Sequence, residues 1–261
     1  MVDWWLQLII PFLLSMFVVI GITVFAERFG TKLGGIFGTI PSTIVVALYF
    51  ISITKGVSFG VEAAAVVPGE MAINLVFLGL IAFFIDRLRY KVVVFSLGIW
   101  GVLTFVFVSV YVVDLGVSLV LYVLAWFVVL VLLEHKKKGV AQGKKVVVYT
   151  VKMLLVRGIF AGLVIAFAVV MANFGAVLSG VFSIFPAIFL STIIIFLKEH
   201  DSVFASGMAK SMLFGSMNVV GYVVGVFFLY PMFGVVWGSI GAFGISLCVM
   251  LCLYGLRNAI E

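Results

Sequence analysis

The segment FGTKLGGIFGTIP at residues 29–41 returns as FGAVLSGVFSIFP at residues 174–186. At a constant offset of 145 the two copies share Phe29/Phe174, Gly30/Gly175, Leu33/Leu178, Gly35/Gly180, Phe37/Phe182 and Pro41/Pro186. The register holds onward to Phe59/Phe204 and Ala64/Ala209. Each copy is rich in glycine and closes on proline, the two residues that most disfavour a continuous helix. In a membrane protein, matched Gly/Pro-interrupted apolar segments in two halves point to a transporter's binding site.

Composition places the chain in a membrane. Of its 261 residues 66% are hydrophobic and 10% charged, and the mean hydropathy is +1.41. Soluble domains carry about 25% charged residues, so this chain has too few to cover a water-facing surface. Lipid offers no hydrogen bonds, and its apolar runs must therefore be helices or a closed barrel. Runs of about 20 residues indicate helices. The first run, 4–26, follows Met-Val-Asp rather than a basic region and lacks a small-residue cleavage site, and is expected to span rather than act as a cleavable signal. Cys248 and Cys252 lie four apart on one helix face, which suits packing better than a disulfide. A net charge of +6 would suggest nucleic acid in a soluble protein. Here the charges fall in loops, and no nucleic-acid partner is expected.

Nine spans are predicted, at 4–26, 33–54, 58–85, 92–113, 115–133, 150–172, 174–197, 203–229 and 232–256. The expected fold class is all-α, a polytopic protein of nine transmembrane helices. With nine spans, Arg28, Lys32, Arg87, Arg89, Lys91, Lys136, Lys137, Lys138, Lys144, Lys145, Lys198 and Arg257 fall on one side and only Lys55 on the other. The positive-inside rule then places the N-terminus outside and the C-terminus in the cytoplasm, in the cell (cytoplasmic) membrane. Residues 1–113 form a first four-helix repeat and 150–261 a second. Between them, 114–149 holds one linker helix and a basic cytoplasmic loop. The linker helix is apolar apart from Ser118, Tyr122 and Trp126. Four helices return the chain to its starting side and the fifth carries it across, so the second repeat enters inverted. Turns are expected near Asp114, Asn173 and Tyr230-Pro231.

The stretch RGIFAGLVIAFAVVMANFGAVLSGVFSIFPAIFLSTIIIFLKEHDSVFASGMAKSMLFGS, residues 157–216, resembles the small four-helix GlpM-like membrane proteins, an uncharacterised family. The first half resembles it more loosely, through ERFGTKLGGIFGTIPSTIVVALYF at 27–50. The resemblance implies a fusion of two four-helix units. It supplies no biochemical activity.

Candidate chemistry gathers at the prolines. Pro41 and Pro186 fall near mid-membrane, where a proline lacks an N–H and clashes with the carbonyl four residues back. The carbonyls of Phe37 and Phe182 should lose their usual partners. Thr39, Ser42 and Thr43 lie beside one break, and Ser183, Ser191 and Thr192 beside the other. Broken helices can offer half-helix ends to a solute or ion; alternatively, the hydroxyls merely satisfy freed backbone groups. Glu70 lies near the midplane of the third span, and an acid there costs roughly 2.5–3.5 kcal/mol on insertion scales, which marks it as a functional candidate or a paired structural carboxyl. Pro68-Gly69 before it predicts a further kink or break, and Asn74 follows one turn on. Lys210, with Asn218 beyond it, sits in the eighth span. Arg157 in the sixth either faces the same site or snorkels to headgroups. Gly30, Gly34 and Gly38, and Gly234, Gly238, Gly241 and Gly244, are expected to serve close helix packing.

His135 and His200 lie in loops, which argues against a metal site or a histidine-based triad in the membrane. There is no phosphate-binding loop for ATP and no acidic cluster suited to magnesium. The expectation is a non-enzymatic protein with no cofactor or metal. It would be a secondary transporter of a small polar solute, with anions among the candidates, working by alternating access with proton or ion coupling. The alternatives are a channel, or an accessory scaffold for envelope lipid or polysaccharide synthesis. Expected partners are the bilayer, the solute or ion, and a second copy in a homodimer.

Overall fold

The computed structural model describes residues 4–28, 40–110, 113–135, 150–199 and 202–260, which are helical almost throughout and include no strand. In chain order the helices are α1 Trp4–Gln7, α2 Ile9–Arg28, α3 Ser42–Lys55, α4 Val57–Leu88, α5 Tyr90–Val110, α6 Leu115–His135, α7 Val151–Met171, α8 Ala176–Ser183, α9 Ala187–Glu199 and α10 Ser202–Ile260. Among the described residues six stretches are long and apolar enough to cross a bilayer: Val57–Leu88, Tyr90–Val110, Leu115–Glu134, Val151–Met171, Ala176–Ile195 and Met212–Leu253. Ile9–Val24 and Ser42–Lys55 are shorter apolar helices. The chain is an all-α membrane protein.

The core is organised around α4, which packs against α3, α5, α6, α8 and α10. Every residue from Ala63 to Leu75 is buried. Of the kink or break expected at Pro68-Gly69 the break is absent, and α4 runs helical through both residues. Proline removes one backbone bond, but neighbours on every side hold the surrounding turns helical.

The outer helices bury narrow stripes. On α5 the buried side includes Val92, Ser96, Trp100, Thr104 and Phe107, at spacings of three or four. On α6 it includes Ser118, Tyr122, Val129 and Leu133. The opposite faces present Val94, Phe105, Phe127 and other large apolar side chains outward, as lipid contact requires. Tyr122 and Trp126 of α6 face α10, whereas Ser118 lies beside Gly69 of α4. Tyr122 Oη lies 2.7 Å from Ser216 Oγ, and Trp126 Nε1 donates to the Leu213 carbonyl at 3.3 Å.

Along α10 the break falls at Gly234 (φ 73°), not at Tyr230-Pro231, and Pro231 stays within the helix. Glycine adopts positive φ without penalty, whereas the proline ring holds φ in the helical range. The arms 202–233 and 235–260 fold back on each other so closely that a Cβ on Gly225 would lie 2.7 Å from Ala242 Cα. The first copy of the repeated segment, apart from Ile40 and Pro41, lies outside the described residues.

Candidate functional site

Two helix starts, each led by a proline, face one cavity. Pro41 precedes α3 with φ −74° and ψ 48°, close to the inverse γ-turn that proline favours. Around it the Ser42 N–H donates to the Ile40 carbonyl at 2.7 Å. Around Pro186, between α8 and α9, the Ala187 N–H donates to the Phe185 carbonyl at 2.6 Å. Each proline carbonyl then accepts the first bond of the following helix, from Val45 at 3.0 Å and from Leu190 at 2.7 Å. Bond for bond, these groups correspond at the offset of 145.

The Phe182 carbonyl has no N–H to accept from at Pro186, as expected, but it finds a substitute. It accepts from the Phe185 N–H at 3.2 Å, because the last turn of α8 tightens to three-residue spacing before the proline. Ser183 Oγ donates to the Gly180 carbonyl and Ser191 Oγ to the Ile188 carbonyl, at 2.5 Å and 3.1 Å. Both hydroxyls therefore bond within their own helices and not to groups freed by the proline.

The cavity measures about 50 Å³ and is lined by Ile40, Pro41, Thr43 and Ile44 from one break and Phe185, Pro186, Ile188 and Phe189 from the other. These residues too are pairs 145 apart. Ile184, Met71, Gly215 and Val219 complete it. Its side chains are apolar except Thr43. First-turn N–H groups have no partner inside their own helix, and residues 43, 44, 188 and 189 belong to the first turns of α3 and α9. Apart from Thr43, the polar character of the cavity is therefore backbone character, at the positive ends of α3 and α9.

Beside this cavity lie Glu70 and Asn74, both fully buried on α4. Thr104 Oγ1 donates to Glu70 Oε1 at 2.7 Å. Asn74 Nδ2 donates across to the Ile184 carbonyl at 2.9 Å, which ties α4 to the break before Pro186. The indole Nε1 of Trp100 is turned toward the Glu70 carboxyl without reaching hydrogen-bond geometry. The Trp100 ring meets Phe185 edge to face at 5.0 Å.

The remaining predicted residues distribute as follows. Ser42 is buried at the start of α3. Arg157 is buried on α7, which packs mainly against α2 and α8, and is not a lining residue. Asn218 is buried on α10, also away from the cavity lining. Thr39 and the side chain of Lys210 lie outside the described residues. Among described side chains, Glu70 and Arg157 are the charges withdrawn from the surface.

Sequence reasoning missed Thr104, Trp100, Phe185 and Gly215. The spacing 96, 100, 104, 107 on α5 could have flagged the first two, since it puts the polar side chains of an otherwise apolar helix on one face. No family model matches the chain, and neither a characterised protein nor a solved structure matches it.

Proposed function

We propose that the chain is a secondary transporter of a small polar solute, with anions favoured, built from two inverted four-helix repeats around the cavity between Pro41 and Pro186. The cavity lining carries this reading. Four residues of one break and their four counterparts at an offset of 145 surround one space, as they would on a pseudo-two-fold axis in the membrane plane.

Helix directions agree with a chain that crosses back and forth. Glu70 meets Thr104 between α4 and antiparallel α5, and Tyr122 meets Ser216 between α6 and the antiparallel first arm of α10. Lys55 Nζ donates to Asn173 Oδ1 at 2.8 Å, and Asn173 Nδ2 donates to Gln7 Oε1 at 3.3 Å. Three separated parts of the chain, at Gln7, Lys55 and Asn173, thus share one face, which the charge bias assigns to the outside. The resemblance of residues 157–216 to a four-helix unit agrees with a fused duplication.

Two half-helix N-termini favour an anionic group on the solute. The space seen here holds a few waters, so loading requires one break to move. Glu70 is the coupling group, and Asn74 transmits its state to the break. The test is a thermal-shift screen of small carboxylates, phosphate and organic cations at fixed sodium and pH, followed by flux in proteoliposomes. Stabilisation by at least one anion and saturable gradient-driven uptake are expected. Stabilisation by organic cations alone would remove the anion preference, and flux that never saturates would favour a channel.

A further inference from the structure

Glu70 Oε2 and Asn74 Oδ1 share an unusual condition. Both side chains are fully buried, and neither of these two oxygens has a hydrogen-bond partner among the described residues. Each side chain is already fixed through its other polar atom, Glu70 by Thr104 and Asn74 by the Ile184 carbonyl. Residues four apart lie on one helix face with Cβ atoms about 5–6 Å from each other. A carboxyl oxygen and an amide oxygen accept hydrogen bonds or bind cations, and an anion could satisfy neither. Buried acceptors left in this condition are costly. The chemistry missing at this point is a proton or a cation.

We propose that Glu70 and Asn74 together hold one monovalent cation, a proton or an alkali ion, against the break between α8 and α9. A proton would turn the Glu70 carboxyl into a donor toward Asn74, and an alkali ion would take oxygens of both as ligands. Either occupant sits where Asn74 also grips the Ile184 carbonyl, so loading the site changes how firmly the break is held. At the offset of 145 the counterparts of Glu70 and Asn74 are Gly215 and Val219, which lack side-chain acceptors. The site therefore has no counterpart at the positions related by the offset, and the two halves are chemically unequal there. Binding itself stands apart from the transport reading; its role as a coupling ion rests on that reading.

The other buried or half-buried titratable side chains on helices packed against α4 are Tyr49, Tyr122, Tyr222 and Tyr230. Tyrosine ordinarily titrates near 10, above the window used below. Of Lys210 on α10 only the backbone is described.

The experiment titrates the purified full chain with sodium chloride against choline chloride at constant ionic strength, between about pH 5.5 and 8.5, a range that avoids tyrosine ionisation. It reads melting temperature and tryptophan fluorescence. A saturable sodium-dependent rise in melting temperature identifies an alkali ion. A rise on acidification that sodium does not alter identifies a proton. In both cases Asn74→Ala weakens the response about tenfold, equivalent to roughly 1.4 kcal/mol, and Trp100→Phe removes the optical signal while keeping the thermal one.

Glu70→Gln should abolish the response and melt above the parent protein in choline at high pH, because its amide donates toward Asn74 Oδ1 as the occupant would. If Glu70→Gln does not fold, Asn74→Ala carries the test. Identical sodium and pH responses in the parent and in these variants would overturn the proposal and leave a water as the occupant. A cation response in a protein that moves no solute would refute transport alone. Flux without a cation response would refute this inference alone.

Discussion

Asn74→Ala is expected to loosen the interrupted helix before it affects the rest of the protein. The Ile184 carbonyl lies where α8 ends and Pro186 prevents the usual continuation. Its side-chain donor is Asn74 Nδ2, at 2.9 Å. Truncation removes that bond and strands a buried carbonyl, which costs about 1–3 kcal/mol. Two effects reduce the figure. The unpartnered Asn74 Oδ1 disappears with the side chain, and inter-helix polar contacts in membranes average nearer 0.6 kcal/mol with a maximum of about 1.7. A net loss of roughly 1–2 kcal/mol follows, a factor of about 5–30 in the population of the opened segment. Hydrogen exchange read by mass spectrometry is the assay. Peptides covering residues 182–190 should exchange about 5–30 times faster, whereas peptides from α5 and α6 stay unchanged. A change below about twofold in that segment, or an equal change everywhere, would refute the idea that Asn74 holds the break.

Three further outcomes are expected. Gly215→Leu places a branched side chain in the cavity of about 50 Å³, and should abolish solute uptake in proteoliposomes while leaving the cation-dependent melting shift in place. Gly180→Ala builds a methyl group onto the Ala63 carbonyl oxygen and to 3.1 Å from Val66 Cβ on α4; the helices must separate, and denaturant titration should register a loss of about 1–3 kcal/mol. Tyr122→Phe removes the 2.7 Å contact to Ser216 Oγ, which keeps its own bond to the Leu213 carbonyl. The expected loss is about 0.5–1.5 kcal/mol, and a double-mutant cycle with Ser216→Ala should return most of it as coupling.

Helix-forming character and membrane residence were legible because they are properties of local composition. An apolar run of twenty residues has few options in lipid, and a proline removes the same backbone bond whatever surrounds it. The interruption at Pro186 could therefore be placed in advance. Pro68 shows the limit of that logic, since packing around α4 keeps the helix continuous where local preference favours a break. Gly234 shows it again: two helix-interrupting residues stood close together, and the fold used the one that tolerates positive φ.

The site was partly legible for the same reason. Glu70 is conspicuous because a carboxyl in an apolar run is costly, and Asn74 follows from helical spacing alone. Thr104, Trp100 and Phe185 were not conspicuous, because their roles depend on which helix lies beside which. Ser118, Tyr122 and Trp126 read in sequence as minor polar interruptions of a linker; in the fold Ser118 lies beside Gly69 of α4, and Tyr122 and Trp126 bond to α10.

By itself, then, the sequence determined the solvent, the helical class, the matched pair of Gly/Pro segments and the presence of a buried acid. Each of these follows from what one residue or one run does to its own backbone and hydration. The tertiary structure alone decided that residues around both prolines line a single cavity, that Asn74 reaches across to the Ile184 carbonyl, and that one oxygen each of Glu70 and Asn74 is buried without a hydrogen-bond partner among the described residues. Those are relations between helices, set by packing over long sequence separations, and nothing local to any one segment specifies them.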